Sequence, residues 1–268
     1  MGAAAAHCFS FAGAALHRRM LVVLPFVLVS GGALAAQPDL YSATVIVTGR
    51  DNLAERARGI REALPLVLTK LTVDAEIAER AAAERIVDQA DAAVERFDYL
   101  DRKEGIQISD EQGTRERSFE LTVHFDPRKV DAMVAKLGGQ VWTSERPEVA
   151  VALLVDDGSA TYLVTQTSER GWGQRLALED ASKALALPVA LPTEAPAVET
   201  PVAAAAKVGA DAAARLEGHM TITPAGYWDT DWQFRAAGAQ TDFATDGVTF
   251  DAAIGEALRR SAKALAKR

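Results

Sequence analysis

The 268 residues carry 37 acidic and 29 basic side chains, a formal net charge of −8 that makes the chain a poor binder of nucleic acid or anionic membrane. The only cysteine, Cys8, lies ahead of a predicted signal-cleavage site. Thiol catalysis, cysteine-ligated zinc and iron-sulfur clusters are therefore excluded for the mature chain, because each needs a thiolate.

Residues Leu21 to Ala36 are apolar apart from Ser30, follow the basic pair Arg18-Arg19, and end among Gly31, Gly32, Ala33, Ala35 and Ala36. This is the layout of a secretory signal peptide. A spanning helix needs about 20 apolar residues, and this run has 16, interrupted by Pro25 and Gly31-Gly32. Cleavage is expected after Ala35, so residues 1–35 are read as the signal peptide. Losing Arg18 and Arg19 takes the charge from −8 to −10. No later run is long and apolar enough to span a bilayer, so the mature protein is expected in the periplasm without a membrane anchor.

Residues 36–140 read as a first α/β lobe. Tyr41, Ala43, Val45 and Val47 alternate with Ser42, Thr44 and Ile46, the period of a half-buried strand. Asp51 is the expected N-cap of a helix whose stripe is Leu53, Ala57, Ile60, Leu64, Val67, Leu68 and Leu71, with a kink expected at Pro65. A second helix is predicted over 82–94 and a strand over 97–100. After a polar turn at 110–113 comes a strand with Phe119, Leu121, Val123 and Phe125 on one face. Asp126 and Pro127 then open a helix reaching Leu137, and Gly138-Gly139 stop it.

A linker, 141–147, leads to a second α/β lobe, 148–268. Its first seven residues, Val149 to Val155, are uninterrupted apolar, as in a strand of a parallel sheet buried on both faces. A helix over 176–185, a short strand over 187–191, a Pro/Ala-rich loop over 192–201 and a short helix to Val208 follow. Alternation over 212–222 and over 227–234, separated by Pro224-Ala225-Gly226, predicts an antiparallel hairpin with Trp228, Trp232 and Phe234 buried. A strand over 241–244 and an amphipathic helix over 250–265 close the lobe. The whole is a mixed α/β fold of two small lobes, the second carrying a mixed sheet, an antiparallel meander and a closing helix.

Val141-Trp142 through Arg146-Pro147, Val151 to Gly158, Phe125-Asp126-Pro127 and Gly209-Ala210-Asp211 together resemble the bacterial domain-of-unknown-function 2066 family. The second lobe is also similar to small α/β domains at the start of the Tol-system propeller protein and in curli-secretion-type envelope proteins. The family resemblance implies an exported protein of uncharacterised role rather than an activity, and the likeness of the second lobe is one of fold, which does not transfer function.

No catalytic motif, cofactor fingerprint or metal-ligand spacing stands out. His124 and His219 fall on polar strand faces without a second ligand at helical spacing, and there is neither a Gly-x-Ser-x-Gly elbow nor a phosphate-cradling glycine pattern. Asp156-Asp157-Gly158 ends the most buried strand, where open α/β sheets place ligands. It reads either as an acidic turn or as a cation or acid-base site. Trp142 and Arg146 flank the same lobe junction, so Trp142, Arg146, Asp156 and Asp157 form the candidate surface for another cell-envelope protein. An inter-lobe salt bridge from Arg146 to one aspartate would account for the same residues. Two functions follow: a non-enzymatic periplasmic binding or envelope-assembly module without cofactor, or a metal-dependent hydrolase using Asp156 and Asp157, with His219 as a further member.

Overall fold

A computed structural model describes residues 39–74, 76–101, 104–105, 117–196 and 200–267. The predicted signal peptide, 1–35, and the expected turn at 110–113 lie outside the described residues.

The first lobe is built on a three-stranded antiparallel sheet. β1 (Ser42–Thr48) and β2 (Val94–Leu100) flank β3 (Ser118–Phe125). Alternation on β3 sends Leu121, Val123 and Phe125 into the core, as the sequence predicts. α1 (Leu53–Thr72) lies against this face through Ile60, Leu64, Val67, Leu68 and Leu71. Contact is close at Gly59, where a Cβ would stand 2.6 Å from Val47 and 2.9 Å from Leu121. The helix cap is Asn52, one residue past the expected Asp51, and its side chain accepts the Glu55 N–H. The helix runs through Pro65 without ending.

The single helix expected over 82–94 is instead α2 (Ile77–Ala83), a 3₁₀ turn over Ile86–Gln89, and α3 (Ala90–Ala93). Arg85 sits between the first two at φ 56°, a left-handed conformation that no regular helix tolerates. α4 (Pro127–Lys136) starts as predicted, with the Asp126 carboxylate accepting the Arg128 N–H and proline in the first turn.

In the second lobe β4 (Val149–Asp156) is buried almost throughout. It runs parallel to β7 (Ala214–Ile222) and, at its start, to the short β6 (Val189–Ala190). β5 (Thr161–Leu163) pairs antiparallel with its far end, a strand the periodicity does not reveal because it is only three residues long. β7, β8 (Trp228–Ala236) and β9 (Ala239–Val248) form the meander, giving the order β5-β4-β7-β8-β9. β9 is ten residues long, extending well beyond the expected 241–244.

Helices cover this sheet unequally. α5 (Trp172–Leu185) and α7 (Phe250–Ala266) pack on the inner face with Leu178, Leu185, Ile254 and Leu258 against Val151, Leu153, Leu216, Trp232 and Phe234. On the outer face, among the described residues, only α6 (Pro201–Lys207) is present, seated over Ala152 and Leu163 through Ala204 and Ala205. Arg215 pins it there. Its guanidinium, 7 % exposed, donates to the carbonyls of Val208 (2.7 Å) and Ala205 (2.9 Å) and pairs with Glu217 at 3.0 Å. Among the described residues no helix covers the outer faces of β7, β8 and β9 beyond α6, and these faces are largely polar.

Candidate functional site

The segment predicted as a linker is packed chain. Trp142 is buried, its backbone N–H donates to the Leu71 carbonyl, and its indole N–H donates to Ser144 Oγ at 2.5 Å. Arg146 stacks on that indole with its guanidinium carbon 4.3 Å from the ring centroid. One end of the guanidinium donates to the Lys70 carbonyl near the end of α1 at 2.8 Å, and the other donates to the Leu185 carbonyl at the end of α5. Among the described residues no carboxylate pairs with it. The partial negative charge of two helix C-termini balances it instead. Burial pulls the guanidinium down to about 10 from its ordinary 12.5. The salt bridge from Arg146 to an aspartate is thus replaced by carbonyl capping, and the residue is a bolt between lobes.

Asp156 and Asp157 lie elsewhere. β4 runs from the junction to Asp156, and its eight residues at about 3.3 Å each place the aspartates more than about 20 Å from Arg146. The four candidates therefore do not form one surface. Asp156 accepts the Gly158 N–H, and Gly158 has φ 77°. Asp157 accepts from Ser159 Oγ (2.6 Å), Ser159 N–H and Ala160 N–H, and pairs with Arg170 at 3.1 Å. Those hydrogen bonds, led by the Ser159 hydroxyl, hold its carboxyl below the ordinary range. This is an acidic turn whose oxygens are committed locally.

His124 stands on the first sheet between Asp39 (2.8 Å to Nδ1) and Asp98 (3.3 Å to Nε2), with Arg96 alongside. His219 stands on the second sheet, in register with Leu154 and two ladder positions from Asp156, which pairs with Thr221. Among the described residues no three His, Cys, Asp or Glu side chains converge in a geometry that could hold a metal ion. The hydrolase reading gains no support from this arrangement.

What the open outer face does form is a groove of about 760 Å³ crossing the middle of the sheet. Leu154 of β4 with Val202 and Ala205 of α6 make an apolar wall, and the rest is mixed: Glu217, His219, Asp231, Gln233 and Asp242 line it together with Gly218, Trp232, Phe243 and Ala244 of β7, β8 and β9. His219 lies directly across from Asp231 in the β7–β8 register, and Gln233 across from Asp242 in the β8–β9 register. Asp242 accepts from the Gln240 amide at 3.0 and 3.1 Å, and Glu217 is paired with Arg215. Among the described residues, His219 and Asp231 make no side-chain hydrogen bond or ion pair. The sequence places His219 on a polar strand face but does not reveal the groove. Alternation marks these positions as polar, yet nothing local says that α6 covers one half of the face and leaves the other bare.

Trp172, 63 % exposed at the start of α5, is a surface aromatic, whereas Trp228 and Trp232 are core as expected. Among the described residues no helix is long and apolar enough to cross a membrane.

No curated protein matches the chain. A family model described as a domain of unknown function, DUF8605, matches residues 35–143, so the three-stranded lobe and the strap through Thr143 are similar to a domain of unknown function other than the 2066 family.

Proposed function

We propose that the chain is an exported, non-enzymatic binding or assembly module of the bacterial cell envelope, and that the groove on the outer face of β7, β8 and β9 is its binding site. The observation that carries this reading is the convergence of His219 and Asp231, both without local partners, on a cavity large enough for a ligand group. Other polar groups are spent on the fold, as at buried Arg215 and at Asp157 in its turn. Polar groups left unspent in a concavity are available to a ligand. The signal-peptide layout of residues 18–36 and the likeness to envelope domains support the compartment.

The test is in-cell crosslinking with a photoreactive residue in place of Gln233, after fractionation of a bacterial host. An adduct in the periplasmic fraction, lost when Asp231 and Asp242 are both changed to asparagine, is the expected result. Full-length chain retained in the cytosol, or intramolecular products only, overturns the reading.

A further inference from the structure

Gln174 is a buried polar side chain that the fold leaves unused. It is 8 % exposed, and among the described residues neither end of its carboxamide has a hydrogen-bond partner. The other buried polar side chains among them, Thr165, Arg215, Thr230 and Ser261, are all engaged. An amide withdrawn from water without a partner costs stability rather than supplying it. Gln174 is the third residue of α5, on the stripe that carries Leu178 and Leu185 into the core. Helix side chains lean toward the N-terminus, so the carboxamide is aimed at the start of α5. Its amide atoms are not fully enclosed, so a ligand there can reach them.

That start lacks what ordinarily closes one. Gly171 supplies no capping side chain, the first turn holds no acidic residue, and the ladder begins with the Arg175 N–H on the Gly171 carbonyl at 2.9 Å. The N–H groups of Trp172, Gly173 and Gln174 precede it and have no intrahelical acceptor. Their partial positive charge is reinforced by Arg175, whose Nη1 donates to the Thr165 and Ser168 carbonyls at 2.8 and 3.0 Å. Among the described residues no carboxylate pairs with Arg175, whereas Arg170 is spent on Asp157. The surroundings are apolar. A Cβ on Gly173 would crowd the Phe250 ring at 3.3 Å, one on Gly171 would crowd Val164 at 3.0 Å, and Trp172 stands exposed beside them.

We propose that the start of α5 binds a carboxylate carried on an apolar group. One carboxylate oxygen accepts from the helix N–H groups and the other from the Gln174 amide, while the apolar group lies against Trp172 and Phe250. One unpaired guanidinium and the partial charge of the helix balance a single negative charge, which favours a carboxylate over a doubly charged phosphate. The same chemistry is supplied by a free acid or by the C-terminus of a peptide. This site is separate from the groove, because α5 packs on the inner face of the sheet.

The exported chain is titrated by calorimetry with 3-phenylpropionate, with N-acetylglycyl-phenylalanine, with the same dipeptide as its C-terminal amide, and with inorganic phosphate. Saturable binding of a carboxylate and none of the amide is expected. Gln174→Met keeps the shape and removes the hydrogen bond, so it should weaken binding about tenfold, and Gln174→Glu sets a like charge in the site and should abolish it. Without ligand, Gln174→Met is expected to melt no lower than the wild type, because an apolar chain of like size replaces an unpartnered buried amide. Tighter binding of 3-phenylpropionate identifies a free acid as the source, and tighter binding of the dipeptide identifies a chain terminus. Failure of both carboxylates, equal binding by the amide, binding of phosphate in their place, or unchanged affinity in either variant overturns the proposal. A lower melting temperature for Gln174→Met makes the carboxamide a structural group and overturns it as well.

Discussion

Trp232 shows how one side chain organises the second lobe. It is 2 % exposed, its indole N–H donates to Thr230 Oγ1 at 2.8 Å, and Thr230 in turn meets Thr245 Oγ1 at 2.6 Å on β9. Truncation to alanine is expected to cost about 3 to 5 kcal/mol in chemical denaturation, as for other buried large aromatics. Gly218 is its counterpart across the β7–β8 pair, and a Cβ there would lie 2.2 Å from the indole. Gly218→Ala is therefore expected to lose about 1 to 3 kcal/mol by overpacking, with a perturbed tryptophan fluorescence spectrum. Arg146 is the contrasting case. Its acceptors lie 76 and 39 positions away along the chain, at Lys70 and Leu185, so no local pattern could announce them. Arg146→Ala leaves those helix-end carbonyls without their donor, and a loss of about 2 to 3 kcal/mol is expected in the same denaturation assay. An unchanged midpoint would remove its role as a bolt.

Among the elements, α6 decides where the groove is. It has only seven residues, capped by the Thr200 hydroxyl accepting the Ala203 N–H, and such a short helix holds its place by tertiary contacts rather than by intrinsic stability. Arg215 supplies the strongest of these through two carbonyls. Arg215→Ala is expected to loosen α6 while the β4–β7 pair survives, which limited proteolysis detects as faster cleavage between residues 196 and 212. Cleavage at the wild-type rate would mean that Ala204 and Ala205 suffice. The strands of the meander were legible because Trp228, Trp232 and Phe234 alternate with polar residues. The break between α2 and α3 was not, because alanine-rich sequence permits a continuous helix and only packing selects the turn at Arg85.

For the molecule as a whole, residues 38–268 form one compact unit, so the two sheets share their stability through the Trp142 and Arg146 strap. Its carboxylates set how that stability responds to acid. Glu55 is held down to about 2 from its ordinary 4.5, chiefly by Arg58 and then by the Thr48 N–H. At Asp39 and Asp74 burial is the largest single effect and works the other way, but hydrogen bonds from His124, Tyr41 and Ser42 at the first, and from Arg80 and the Glu76 N–H at the second, together with nearby positive charge outweigh it and keep both below their ordinary 3.8. A folded pKa below the unfolded one contributes stability that is full above the unfolded value and is lost as pH falls through the folded one. The melting temperature should therefore hold on acidification to about pH 5, then fall progressively toward pH 2. A flat profile across that window would mean that these ion pairs contribute nothing to folding.

The sequence alone determined the elements with strong periodicity and clear caps: β1, β3, α1, α4, the β7–β8 hairpin and α7. It determined the mixed α/β class as well, since hydrophobic period and cap chemistry act over a few residues and need no distant partner. The tertiary structure alone decided what the exposed residues do. Asp156 and Trp142 read as neighbours in function because they lie near one another along the chain, yet an extended strand carries them to opposite ends of the sheet. Asp231 and His219 read as ordinary surface residues, and pairing of β7 with β8 put them opposite each other. The groove exists because one short helix, fixed by a buried arginine, covers only half of a sheet face, and that is a property of packing over long chain separations.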